Sequence, residues 1–246
     1  MNPFKALFIA NLKIVYRNKT ALFWNAVMPV SLYTALSVLP LPQIIPNVPY
    51  RSYLLPGMIA YTIMTNGIYG LAYWMAEMRS RNVIKRFLVM PIKIRDLALS
   101  LVASRLVVMF CQVLLLTLVG MLFFKVGFAG NLLALIILVI LGGGVFLLIG
   151  LLIANYSSSY ETATPLTTAI GLPMAFLGNI FFPSDALPKT LKLISNLLPI
   201  TYLADALRQT YLATFNWTVF SKDCLMLMLW LLVLFLTTTK IFKLKE

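Results

Sequence analysis

Long runs of residues without charge are the feature that most constrains this chain. Charged residues make up only 11% of the 246 residues, against about a quarter in soluble domains, and they are clustered. The clusters leave several uncharged runs of roughly 20 residues, the length that a helix needs to cross ~30 Å of hydrocarbon. Transmembrane β-barrels would instead show alternating segments of about 10 residues. The sequence therefore predicts an all-α polytopic membrane protein.

The whole chain, 1–246, is predicted to be a single transmembrane domain with six membrane-spanning helices. The predicted spans are residues 20–39, 54–75, 97–124, 131–154, 163–182 and 222–239. Residues 1–19 are basic and amphipathic, which is typical of a helix lying in the membrane interface, although they could simply extend the first span. Residues 183–221 form a long outer segment whose middle, 191–198, is too short to cross and is stopped by Pro199, which favours re-entrant helices on the outer side.

The basic residues indicate an orientation in the membrane. The chain has 20 Lys and Arg residues and a formal net charge of +13. Lys and Arg are retained on the cytoplasmic side, and their distribution predicts that both termini lie in the cytoplasm and that the protein resides in the cell membrane. Because the cations lie at the ends of apolar runs, they argue against nucleic-acid binding. The basic N-terminal residues also do not resemble a cleavable signal peptide.

Residues 76–96 form a basic segment between the second and third predicted spans, and the topology places them in the cytoplasm. Their spacing predicts a short amphipathic helix stopped by Pro91. Val83, Ile84, Phe87 and Leu88 share its apolar face, whereas Arg81, Lys85 and Arg86 lie off that face. The segment could dock another protein or could simply anchor the neighbouring spans. Glu77 could cap this helix or contact the docked protein.

Several polar and aromatic residues fall inside or beside the predicted spans, and each allows two interpretations. Asn66, Gln112 and Asn179 could hydrogen-bond neighbouring helices or line a substrate path. Tyr69, Tyr73 and Phe176 could pack in the core or contact a ligand. Asp205 and Arg208, spaced i and i+3, are expected to form a structural pair in the outer segment. The consecutive glycines 142–144 would allow another helix to approach closely.

Enzyme chemistry has little support in this sequence. The chain contains no His, and its seven Asp and Glu residues are scattered rather than paired. General acid–base catalysis and metal binding need such residues close together, so no catalytic or metal site is predicted. No Walker motif is present, so no nucleotide is expected to bind to this chain.

Three groups of residues, in order along the chain, carry a resemblance to a known family. Tyr53, Pro56 and Gly57 begin the second span, and Glu77 begins the basic run that leads to Pro91. The third group is the closing pattern Gly178, Phe182-Pro183, Leu187-Pro188, Leu198-Pro199, Tyr202, Asp205, Ala206 and Arg208. With these residues the chain resembles the membrane subunit of an ABC type-2 transporter over nearly its whole length. One departure is that Asn82 and Val83 stand where the family usually carries Gly-Thr.

The resemblance implies a function and partners. Two permease subunits, as a homodimer or a heterodimer, would form the path of an ATP-driven exporter for a hydrophobic or amphipathic substrate such as a drug, lipid, peptide or lipid-linked glycan. A separate ATP-binding subunit would hold ATP and Mg. Its contact with the permease is expected at Glu77, Arg79, Arg81, Val83, Lys85, Arg86 and Phe87. The alternative is a membrane assembly or scaffold protein that transports nothing.

Overall fold

The computed structural model describes residues 3–40, 48–81, 83, 93–128, 131–212 and 216–241. All regular secondary structure in these residues is helical, which confirms the predicted all-α class. The helices are α1 (Pro3–Arg17), α2 (Lys19–Val38), α3 (Tyr50–Ser80), α4 (Ile94–Phe124), α5 (Leu132–Tyr156), α6 (Tyr160–Leu177), α7 (Lys189–Ser195), α8 (Pro199–Tyr211) and α9 (Trp217–Ile241), with a 3₁₀ turn at Ser184–Ala186.

Four helices in the described part of the chain are long and apolar enough to cross a membrane. These are α2, α4, α5 and α9. The other two predicted spans, residues 54–75 and 163–182, fall largely on α3 and α6. The six-span layout therefore stays a prediction, while the apolar helices themselves indicate a membrane protein.

Helix α3 is the centre of the fold. It contacts α2, α4, α5, α6 and α8, and most of its residues are buried. It packs closely against α5, where Gly150 faces the backbone of α3: a Cβ atom on Gly150 would lie 2.5 Å from the carbonyl oxygen of Gly67. Without a hydrophobic driving force between helices in lipid, such contact between small residues is a main source of packing energy.

Helix α5 is the second packing centre, and its three consecutive glycines explain why. Each faces a side chain from a different helix, because the helix turns by about 100° per residue. The neighbours of Gly142, Gly143 and Gly144 are Leu203 of α8, Leu106 of α4 and Leu231 of α9. The glycines thus let three helices approach one point of α5, and α5 continues through them without a break.

Two short helices follow α6. Helix α8 has 13 residues, so it is about 20 Å long and cannot cross the hydrocarbon. It is nevertheless largely buried, against α3, α5 and α9. Whether it dips into the outer leaflet stays a prediction.

We expect the substitution Gly150→Ala to destabilise the protein. Alanine in place of glycine normally stabilises a helix by about 0.5–1 kcal/mol. Here the added methyl group would meet backbone atoms of α3 at 2.5 Å, and overpacking of this kind costs about 1–3 kcal/mol. Thermal unfolding of the detergent-solubilised protein would therefore show a lower midpoint. Gly127→Ala is the control, since its Cβ would meet nothing within 4 Å; equal midpoints for both variants would contradict the packing argument.

Candidate functional site

Arg208 on α8 is the centre of a buried polar cluster. Its guanidinium Nη1 donates to Oδ1 of Asp205 at 2.9 Å, and Nη2 donates to the carbonyl oxygens of Asn179 and Ile180. The guanidinium carbon lies 3.9 Å from the centroid of the Tyr53 ring, a cation–π contact. The Arg208 cluster, defined as Tyr53, Asn179, Asp205 and Arg208, therefore joins α3, the segment after α6, and α8.

Asn179 connects the members of this cluster. Its backbone has φ of 56°, the left-handed region that Asn tolerates better than most residues. Its side-chain oxygen accepts hydrogen bonds from the Tyr53 hydroxyl at 2.7 Å and from the Ser184 amide at 3.2 Å, and its Nδ2 donates to Asp205 at 2.5 Å. The amide is thus engaged by neighbouring segments, one of the two interpretations that the sequence left open.

The electrostatics of the cluster follow from its burial. Arg208 is only 5% exposed, so its charge needs a partner inside the protein. Burial raises the pKa of Asp205, whereas the charge of Arg208 and the hydrogen bonds from Arg208 and Asn179 oppose that rise. The carboxylate and the guanidinium therefore stabilise each other's charged forms.

Asn66 and Gln112 form a second polar contact, between α3 and α4. The Asn66 Nδ2 donates to the Gln112 Oε1 at 2.6 Å, and the Gln112 Nε2 donates to the carbonyl oxygen of Asn25 on α2 at 3.4 Å. Both side chains are buried. The structure brings these two predicted residues together, and their hydrogen bonds connect three helices.

An aromatic seam runs along the contact between α3 and α6. We define it as Tyr61, Tyr69, Tyr73, Tyr160, Phe176 and Phe181. The Tyr69 and Tyr73 rings lie 5.8 Å apart and the Tyr73 and Tyr160 rings 4.6 Å apart, measured between centroids. Phe181 lies within 6.4 Å of both Tyr61 and Phe176. Tyr61, Tyr69 and Tyr73 are half-buried, and Phe176 is 60% exposed, so the seam presents aromatic surface rather than only core packing.

The first residues of the predicted coupling segment belong to the end of α3. Glu77 and Arg81 form an exposed ion pair at 2.8 Å. Arg79 points to the protein interior, where its Nη1 donates to the carbonyl oxygens of Ala154 and Ser157 at the C-terminal end of α5. A cation at this position is favoured by the helix dipole. Lys85, Arg86 and Phe87 lie outside the described residues, whereas Arg81 and Val83 are described.

Two charged residues have environments that the sequence analysis did not anticipate. Arg105 of α4 lies against Gly70 of α3, with its Nη1 3.2 Å from where a Cβ of Gly70 would be, and its Nε is buried without a hydrogen-bond partner. Asp223 of α9 is 5% exposed, and its Oδ2 likewise has no partner. In the sequence, Arg105 lies about two turns inside the predicted span 97–124, from where its side chain is expected to snorkel to the cytoplasmic headgroups. In the structure it packs against α3 instead. Asp223 lies at the start of the predicted span 222–239, where interfacial charges are ordinary, so no sequence signal distinguished it.

Comparison with known families decides the class. The model of the ABC-2 type transporter family matches residues 2–212. The chain belongs to this family. The matched region of this ABC-2 transporter subunit runs from α1 to the end of α8, so it contains the Arg208 cluster, the aromatic seam and the end of α3. No curated protein matches the sequence of the chain. Membership identifies a permease, a transport component of a family whose members normally associate with an ATP-binding subunit.

We expect Asp205→Ala to lower the free energy of unfolding of this ABC-2 permease by about 1.5–3 kcal/mol, because the buried Arg208 would lose its carboxylate partner, although the Asp205 side chain is itself 37% exposed. Unfolding of the detergent-solubilised protein, followed by circular dichroism during denaturant titration, measures the effect. Asp185→Ala is the matched control. It removes the 2.7 Å pair with Lys192, whose side chains are 81% and 44% exposed, and exposed pairs contribute about 1 kcal/mol or less. Similar losses in the two variants would refute the role given to burial.

Proposed function

We propose that this chain is the permease subunit of an ATP-driven exporter of hydrophobic or amphipathic compounds. The observation that carries the proposal is the family match over residues 2–212. The chain would work with a second permease subunit, identical or related, and with separate ATP-binding subunits that hold ATP and Mg. It would lie in the cell membrane with six spans and with both termini in the cytoplasm.

Helix α3 suggests how the two sides of the permease communicate. It is continuous from Tyr50 to Ser80, which makes it about 45 Å long. Tyr53 at one end belongs to the Arg208 cluster, and Glu77 and Arg79 lie at the other end. An ATP-binding subunit that moved the segment after Ser80 would move α3 as a rigid rod. Through the hydrogen bonds of Arg79 it would also move the end of α5.

The aromatic seam is our candidate for the substrate path. Tyr69 and Tyr73 belong to α3, and Tyr160 belongs to α6. A displacement of α3 relative to α6 would therefore change the distance between the rings of Tyr73 and Tyr160. Flat aromatic surface accepts hydrophobic and amphipathic molecules without demanding one hydrogen-bonding pattern. For Asn66, Gln112 and Asn179 the sequence left a place on the path open, and their hydrogen bonds to neighbouring residues favour a structural role instead.

The six-span topology has a direct test. Ser80→Cys and Lys189→Cys, introduced singly after Cys111 and Cys224 are replaced by alanine, place exposed thiols at the end of α3 and the start of α7. Three predicted spans separate them, so they should lie on opposite sides of the membrane. We expect a membrane-impermeant maleimide to label Lys189→Cys in intact cells and Ser80→Cys only after permeabilisation. If the two cysteine variants were labelled equally in intact cells, residues 80 and 189 would lie on the same side of the membrane. That result would indicate two membrane crossings between them and would contradict the six-span topology.

Coupling to an ATPase is tested by charge reversal. We expect the double substitution Lys85→Glu and Arg86→Glu to abolish co-purification with the ATP-binding subunit, because the docking surface would change sign. The matched control, Lys125→Glu with Lys189→Glu, reverses two charges predicted to lie on the opposite side and should leave the complex intact. Co-purification is followed by the ATP hydrolysis of the isolated complex. An unaffected complex in the first variant would remove the role assigned to residues 76–96.

A further inference from the structure

A groove with a volume of about 600 Å³ runs between α1, α2 and α4. Apolar side chains form its walls: Leu12 and Tyr16 from α1, Ala26 from α2, and Val107, Cys111 and Leu115 from α4. Lys13 is the one charged residue among those lining it, and Gln112 contributes an amide. The groove thus has a long apolar interior and a cation on the wall formed by α1.

Hydrogen bonds hold the walls of this groove in place. The Asn11 Nδ2 donates to the Ser100 Oγ at 3.3 Å, and Asn11 is the buried residue of α1. On the far side, Gln112 is held by Asn66 at 2.6 Å. Helix α1 therefore contacts α4 through a polar anchor beside the groove, while the groove itself stays open between the two helices.

The α1 and α2 walls of the groove carry charge of a single sign, while the first turn of α4 carries Arg95 and Asp96. Residues 1–76 contain no Asp or Glu, and α1 with the residue that begins α2 carries Lys5, Lys13, Arg17 and Lys19. Lys13 forms no ion pair within the described part of the chain. An occupant with a negative charge is therefore favoured. A second copy of this chain would bring two cationic α1 helices together, and like charges repel across an interface.

We propose that this groove binds one acyl chain of an anionic phospholipid, with the lipid phosphate at Lys13. The α4 wall from residue 107 to residue 115 is about 12 Å long, which suits an extended hydrocarbon chain. In a bilayer, lipid acyl chains would occupy such an apolar groove. The charge of Lys13 would then determine which lipid headgroup is preferred beside it. A basic residue near the surface favours anionic lipid by about fivefold. The site requires only that the chain lies in a bilayer, so it goes beyond the transport function and does not depend on an ATP-binding partner.

Photocrosslinking tests the site directly. The full-length protein is placed in nanodiscs that contain phosphatidylglycerol or phosphatidylcholine with the same diazirine-bearing acyl chain, and adducts are mapped by mass spectrometry after illumination. We expect phosphatidylglycerol adducts to concentrate on residues 9–16 and 107–115 and to exceed the phosphatidylcholine adducts there. Lys13→Gln should lower the ratio of the two about fivefold. Lys5→Gln is the matched control, with the same charge change on the same helix but outside the groove, and should leave the ratio unchanged.

A second variant fills the groove. Ala26→Trp should abolish adducts at residues 107–115 while leaving those at Leu122, which is 73% exposed elsewhere on α4. If this variant does not assemble, the comparison of Lys13→Gln with Lys5→Gln decides alone. Equal crosslinking of the two lipids in the groove, or equal effects of the two lysine variants, would overturn the proposal. Covalent dimers joined through groove residues would overturn it in favour of a second copy. The nanodiscs contain no ATP-binding subunit. A negative crosslinking result would therefore contradict the lipid site without bearing on the proposed coupling to an ATPase.

Discussion

The buried charge of Arg208 is the constraint on which much of this structure depends. A guanidinium removed from water must have its charge and its N–H groups satisfied inside the protein. Asp205, the carbonyl groups at Asn179 and Ile180, and the face of Tyr53 compensate the charge and engage Nη1 and Nη2, whereas the buried Nε has no hydrogen-bond partner among the described residues. These partners come from three separate segments. Satisfying one side chain therefore fixes the positions of α3, α8 and the chain that follows α6.

At the other end of α3, a second cation, the partly buried Arg79, is likewise stabilised by hydrogen bonds to backbone carbonyl groups. Arg79 is half-buried and donates to the carbonyl oxygens of Ala154 and Ser157 at the C-terminal end of α5. Between these two cations, α3 is held by close contact with α5 at Gly67 and Gly150. The central helix is thus bound by polar contacts at both ends and by close van der Waals packing in the middle. A helix held in this way moves as a unit, which is why we assign it the link between an ATP-binding subunit and the aromatic seam.

Helix α1 is attached in a different way. One buried Asn11–Ser100 hydrogen bond anchors it, and the groove beside that anchor remains open. In the proposed arrangement, lipid completes the packing that protein side chains provide elsewhere. The transport and lipid proposals therefore concern separate parts of the molecule: the seam between α3 and α6, and the groove between α1, α2 and α4.

The all-helical class, the apolar helices and the family resemblance followed from the sequence alone, because they depend on charge spacing, hydropathy and ordered short motifs. The i, i+3 spacing likewise indicated that Asp205 and Arg208 could pair, and the tertiary structure brought Tyr53 and Asn179 to them. Only that structure decided that Arg79 turns inward while Glu77 and Arg81 face outward, and that Asn66 meets Gln112. It also decided that Asp223 and the Nε atom of Arg105 are buried. The physical reason is that periodicity reports which residues share a face of one helix. Which helix covers that face depends on contacts between residues far apart in the chain, and a single sequence does not record them.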